Sequence, residues 1–141
     1  MKSTCFLLIL LSFSFTSFSQ NPLEEIYVDE VLQPVDSTEA VYVRHFNEVS
    51  TTRIECEVFS AQTGAIRMTG TYALMGEELI ENGHFIFYHD VDQIESEGFF
   101  ILGFKSGVWK RYSPDGKTLP EKYYDPEAAD ILRRLNKVGL K

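Results

Sequence analysis

Gly83-His84-Phe85-Ile86-Phe87-Tyr88 and, 24 positions further on, Gly107-Val108-Trp109-Lys110-Arg111-Tyr112 are the segments whose reading decides the fold. At that offset Gly83 falls on Gly107, Phe85 on Trp109 and Tyr88 on Tyr112, and then Glu97 on Glu121, Phe99 on Tyr123 and Phe100 on Tyr124. Self-similarity at a fixed period of a few dozen residues marks a stacked supersecondary unit. A looser copy lies upstream, where Val58-Phe59, Thr63-Gly64 and Met68-Thr69-Gly70-Thr71-Tyr72 keep the order strand, turn, strand.

Each copy reads as two short strands and a turn. In the last copy, residues 108–112 form a strand of large side chains and residues 119–124 a return strand limited at one end by Pro120. Between them, Ser113-Pro114-Asp115-Gly116 is a strong turn: Pro fixes φ, Asp bonds the local backbone and Gly takes a positive φ. Lys105-Ser106-Gly107 is the expected preceding turn. In the middle copy the strands are residues 85–88 and 99–102. Gly83, Gly107 and Gly116, with Phe85 and Trp109, are the expected structural repeat positions. Glycine permits a tight turn and lets an aromatic ring lie against neighbouring backbone, and the rings then stack from hairpin to hairpin. Two hairpins alone are marginal, so upstream strands are expected to extend the sheet. Candidates are residues 53–59, residues 39–49 with Val41 and Val43 in alternation, and residues 26–31 as an edge strand or docked segment.

After residue 124 the period changes. Asp125 is a good N-cap and Pro126 a good first helical residue. Ala128, Ile131, Leu132, Leu135 and Val138 make an apolar stripe at helical spacing, which predicts an amphipathic helix over 126–138 packed on the sheet or capping its edge. The fold class is therefore mainly β: an antiparallel β-hairpin repeat sheet with a C-terminal amphipathic α-helix. The expected organisation is a signal peptide (1–19), lead-in strands (20–52), hairpin repeats (53–124, clearest in 83–106 and 107–124) and the helix (125–141).

The signal-peptide reading rests on Lys2, the run Phe6-Leu7-Leu8-Ile9-Leu10-Leu11 and the small residues around Ser17-Phe18-Ser19, with cleavage after Ser19. The protein is thus expected to be exported to the periplasm, the outer membrane or the medium. Cys5 leaves with the signal. Cys56, alternating with Ile54 and Val58, reads as a buried small hydrophobe rather than a nucleophile, since its flanking carboxylates disfavour a thiolate.

With 141 residues the chain allows one domain, and its 13% aromatic content excludes a disordered polymer. A net charge of −8 argues against nucleic-acid binding, and no apolar run is long enough for a transmembrane span. Charge is segregated: residues 20–97 carry 16 acidic and 3 basic side chains, and residues 98–141 carry 5 acidic and 9 basic.

Little here reads as chemistry. His84, His89, Asp90 and Asp92 are the candidate metal ligands, but on one extended strand the two histidines point to opposite faces and the loop lacks calcium-site spacing, so a solvated turn is the expectation. Glu95 and Glu97 share a strand face without a pocket-building segment, and solvent exposure is expected for both.

The segment Gly107-Val108-Trp109-Lys110-Arg111-Tyr112-Ser113-Pro114-Asp115-Gly116 resembles the bacterial MORN-variant repeat, a family part of which is named YwqK-type antitoxin. Tyr27-Val28-Asp29-Glu30, Ala40-Val41-Tyr42-Val43-Arg44 and Met68-Thr69-Gly70-Thr71-Tyr72 resemble the lead-in of its secreted envelope members. The middle copy departs from the pattern, with Phe85 in place of Trp and Asp92-Gln93 where a turn glycine falls. The resemblance implies a hairpin-repeat sheet with no catalytic residues and no cofactor or metal. It implies protein–protein or envelope attachment, the partner being another protein of the cell envelope, or alternatively an immunity protein that neutralises an exported toxin. Because aromatic and Arg anchors dominate interfaces, Phe87, Tyr88, Trp109, Arg111 and Tyr112 are the expected contact residues.

Overall fold

The computed structural model describes residues 24–90, 93–128, 130, 131 and 134. The proposed signal peptide lies outside them. Eight strands follow one another: β1 (Glu24–Val28), β2 (Tyr42–Ser50), β3 (Arg53–Ser60), β4 (Ile66–Met75), β5 (Glu78–Tyr88), β6 (Ile94–Ile101), β7 (Phe104–Tyr112) and β8 (Thr118–Tyr124). They form one antiparallel sheet in which each strand pairs only with its sequence neighbours, so β1 and β8 are its edges. The molecule is mainly β, an open meander in a single layer.

A one-layer sheet must bury its apolar face against itself, and register explains how. Across the sheet Phe46 pairs with Cys56, Cys56 with Gly70, Gly70 with Phe85 and Phe85 with Gly98. Glu97 pairs with Lys110, which sets Gly98 beside Trp109, and Trp109 pairs with Lys122. The row from β2 to β7 thus mixes large residues (Phe46, Phe85, Trp109) with small ones (Cys56, Gly70, Gly98). Phe85 and Trp109 each lie over a glycine of the preceding strand: a Cβ added at Gly70 would sit 2.2 Å from the Phe85 ring, and one at Gly98 would sit 2.5 Å from the indole. Phe85 and Trp109 are each only 1% exposed, although no second layer covers them among the described residues.

The rings continue in edge-on contacts, with centroids 5.4 Å apart for Tyr72–Phe85, 4.8 Å for Phe85–Phe100, 5.3 Å for Phe100–Trp109 and 6.2 Å for Trp109–Tyr124. Such pairs each add about 0.5–1.5 kcal/mol beyond the area they bury. Cations lie over both ends of this ladder. The Arg44 guanidinium sits 4.7 Å from the Phe46 ring centre, and Lys105 Nζ sits 4.0 Å from that of Trp109. These charged groups cover rings that a second layer would cover in a thicker fold.

Gly83 and Gly107 occupy equivalent register positions in different surroundings, since a Cβ added at Gly83 would meet Thr71 at 2.9 Å and one at Gly107 would meet nothing within 4 Å. Both have positive φ (+142° and +69°), and both precede a buried ring by two residues. At each, the register against the preceding strand shifts: Gly70 pairs with Phe85 but Tyr72 with Glu81, and Glu97 pairs with Lys110 but Phe99 with Ser106. The later repeat positions also behave alike, since Phe100 and Tyr124 pack against the core while Phe99 and Tyr123 are 56% and 70% exposed.

Some elements differ from expectation. Lys105, Ser106 and Gly107 lie within β7 rather than in a turn. The chain reverses at Leu102-Gly103, closed by the pair Ile101–Phe104, and both residues have positive φ. Gly107 relieves a bulge instead. Pro120 lies inside β8 rather than at its end, which an edge strand tolerates because its outer side makes no ladder. β1 stops at Val28 because the Asp29 carboxylate accepts the amides of Val31 and Gln33 and turns the chain away.

Of the expected C-terminal helix, residues 126–128, 130, 131 and 134 are described and helical. Asp125 accepts the Glu127 amide at 2.9 Å, as an N-cap does. Ala128 is exposed and Ile131 is 58% exposed, so these two members of the expected stripe are not buried against the sheet. Leu132, Leu135 and Val138 lie outside the described residues.

Candidate functional site

At the β6–β8 end of the ring-bearing face a groove of about 400 Å³ opens, lined by His89, Glu95, Lys105, Trp109, Arg111, Lys122 and Tyr124 among others. Alternation along β7 brings Trp109 and Arg111 to one face, and the Trp109–Lys122 pairing sets Lys122 on that face of β8. Lys105 reaches the site because its ammonium lies over the Trp109, Tyr124 and Phe87 rings, at 4.0, 5.7 and 5.9 Å from their centres. The indole N–H donates to the Phe99 carbonyl at 3.2 Å, which fixes the ring as floor. His89 Nε2 lies 3.0 Å from the Tyr112 carbonyl oxygen and ties the β5–β6 loop to the end of β7.

The electrostatics are unusual for so acidic a chain. Arg53, Arg67, Lys110, Lys117 and Arg134 each pair with a carboxylate. Among the described residues Lys105, Arg111 and Lys122 have no ion-pair partner, and all three line this groove. Three cations against the single carboxylate of Glu95 leave the groove net positive, and a partly shielded cleft of that sign draws anions.

The expected contact residues divide. Arg111 and Tyr112 are half-buried and border the groove, but the Tyr112 hydroxyl bonds Glu97 on the opposite face and its carbonyl is what faces His89. Trp109 lines it from beneath, its 1% exposure making it a support rather than a presented anchor. Phe87 is half-buried in the ring ladder, 6.1 Å from Trp109. Tyr88 borders a separate groove of about 200 Å³ with Leu32, Tyr42 and Met68. Gly83 and Gly107 shape the bulges, and Gly116 (φ +78°) shapes the β7–β8 loop. Sequence reading missed Lys105 and Lys122 as groove residues and Gly70 and Gly98 as ring seats. The available signal was the basic excess after residue 97, which does not say which cations converge.

On the opposite face Glu97 is not simply solvated, which corrects the expectation for it. It is held at 3.5 Å by His84 Nε2 and by Lys110 Nζ, and it accepts the Tyr112 hydroxyl at 3.1 Å. Burial first, and this hydrogen bond second, push the Tyr112 hydroxyl above its ordinary value. Burial likewise pushes the Cys56 thiol up. Among the described residues no three His, Cys, Asp or Glu side chains converge as metal ligands. His84 faces Glu97, His89 bonds the Tyr112 carbonyl, and Asp92 lies outside the described residues.

Compared with known proteins, the chain matches no family model, no curated protein and no solved structure.

Proposed function

We propose that the chain is an exported, non-enzymatic hairpin-repeat module of the MORN-variant kind that attaches to another protein of the cell envelope through the groove over Trp109. The observation that carries this reading is the convergence of Lys105, Arg111 and Lys122, without an ion-pair partner among the described residues, in one groove of a chain whose net charge is −8. The repeat assignment is supported by the shared backbone setting of Gly83 and Gly107 at the 24-residue spacing. Export is supported by the composition of residues 1–19. Placing a photo-crosslinker at Arg111 or Lys122 in cells that export the protein tests the reading. A discrete adduct from those positions, and not from Lys110 on the opposite face, is expected. Adducts that form equally from Lys110, or from none of the three, would refute it.

A second reading, an immunity protein against an exported toxin, is favoured by the acidic end of the sheet. There Glu55, Glu77 and Glu78 are exposed and suited to a basic partner surface. Charge reversal at Glu77 and Glu78 would abolish protection of toxin-exposed cells on this reading and leave the crosslinks from Arg111 intact.

A further inference from the structure

Building on the reading of this groove as a contact surface, we propose that its occupant is an extended, carboxylate-rich peptide segment that pairs with β8 and lays alternate acidic side chains over Lys122, Arg111 and Lys105.

Charge supplies the first argument. Among the described residues Arg53, Arg67, Lys110, Lys117 and Arg134 pair with carboxylates and Arg44 lies over two rings, yet these three cations have no ion-pair partner in a groove whose one carboxylate is Glu95. Aromatic rings hold Lys105 in place but do not neutralise it. Arg111 adds a planar fork suited to a carboxylate.

The sheet edge supplies the second argument, and it selects a peptide over a small anion. β8 has no strand on its outer side among the described residues, so its outward backbone groups are open to strand addition. A residue of an added strand set opposite Lys122 would project onto the groove face, and so would its neighbours two positions away. Carboxylates at every second position therefore meet the cations. Pro120 has no amide hydrogen to give, which confines pairing to residues 121–124, the part of β8 that carries Lys122 and Tyr124.

Trp109 is the single tryptophan of the chain and the floor of the groove, so its emission reports occupancy. Purified protein is titrated with a short end-capped peptide alternating Glu and Thr, with the same peptide carrying Gln for Glu, and with inorganic phosphate. The Glu peptide is expected to give a saturable change in Trp109 emission and slower amide exchange over residues 121–124. Arg111→Gln or Lys122→Gln is expected to weaken that binding roughly tenfold, with the melting transition unchanged. Equal binding of the Gln peptide, saturation by phosphate at the same affinity, or no saturable response would overturn the proposal. If crosslinks from Arg111 persist while the Glu peptide fails, the groove remains a contact surface and only its acidic-peptide occupant is lost.

Discussion

The indole of Trp109 lies on the backbone of Gly98, in the adjacent strand, so closely that a methyl group there would meet the ring at 2.5 Å. Phe85 repeats the relationship on Gly70. The two ring seats solve the central problem of a single-layer sheet. A ring laid flat on a glycine of the neighbouring strand buries one face against backbone, and adjacent rings and a cation cover the other. The large side chains of the repeat supply cohesion in this way, and the groove above Trp109 exists because Lys105, rather than a second layer, roofs that ring.

Gly98→Ala should therefore destabilise the protein by about 2 kcal/mol, the cost of overpacking a site whose neighbour is a rigid ring. In a Trp109→Ala background the same substitution should cost little. Urea unfolding of the four variants in a double-mutant cycle measures the coupling, and additive effects would show that the ring does not rest on Gly98.

The turn at Leu102-Gly103 invites the opposite result. Leu102 adopts φ +47°, a region that leucine disfavours, and is held there because its amide donates to Asn82 Oδ1 at 3.2 Å. The Gly103 amide donates to the Glu81 carbonyl at 2.8 Å. Asn followed by Gly is the pair that best accepts two positive φ values in a hairpin. Leu102→Asn should raise stability by about 0.5–1 kcal/mol in urea unfolding.

That turn also shows where sequence reading stops. The repeat was legible because Gly83 and Gly107, Phe85 and Trp109 recur at one offset within a short chain. The turn was misplaced to residues 105–107 because glycine announces positive φ and leucine does not, so Gly107 was read as reversing the chain when it only bulges a strand. Gly70 and Gly98 were passed over for a different reason. A ring seat is a property of register: Gly70 is far in sequence from Phe85, and only the β4–β5 pairing sets them side by side. The groove has the same character. Its Lys105, Arg111 and Lys122 are scattered along two strands, and the Trp109–Lys122 pairing, together with the cation–ring contact of Lys105, brings them together.

Tyr72 should give the protein an alkaline limb. It is 6% exposed, and burial, reinforced by charge on Cys56 and opposed by Arg44, pushes its hydroxyl up to about 12. The unfolded chain releases that proton near pH 10, so the folded state holds more protons between about pH 10 and 12 and loses stability across that window. The contribution present below pH 10 falls by roughly 2–3 kcal/mol by pH 12. Denaturant unfolding at stepped pH should show this slope in the parent and a flatter one in Tyr72→Phe.

Glu97 offers a test on the other face that leaves the core untouched. Its carboxylate accepts the Tyr112 hydroxyl and lies within 3.5 Å of both His84 and Lys110. Glu97→Gln keeps the shape and an acceptor oxygen but removes the charge, so the hydroxyl loses the repulsion of the Glu97 carboxylate from its upward shift and keeps the largest cause, which is burial. A difference ultraviolet titration should therefore show one tyrosine ionising at lower pH in Glu97→Gln than in the parent, while remaining above a free tyrosine. Stability near neutral pH should fall slightly in urea unfolding, because a charge-assisted hydrogen bond is replaced by a neutral one. Tyr112 meets the groove through its carbonyl, which holds His89, while its side chain lies on the Glu97 face, so binding measured by Trp109 emission should be unchanged in this variant if the two faces act independently. A parallel loss would mean that Glu97 positions Tyr112 and, through the Tyr112 carbonyl, His89, so that the two faces are coupled through one residue.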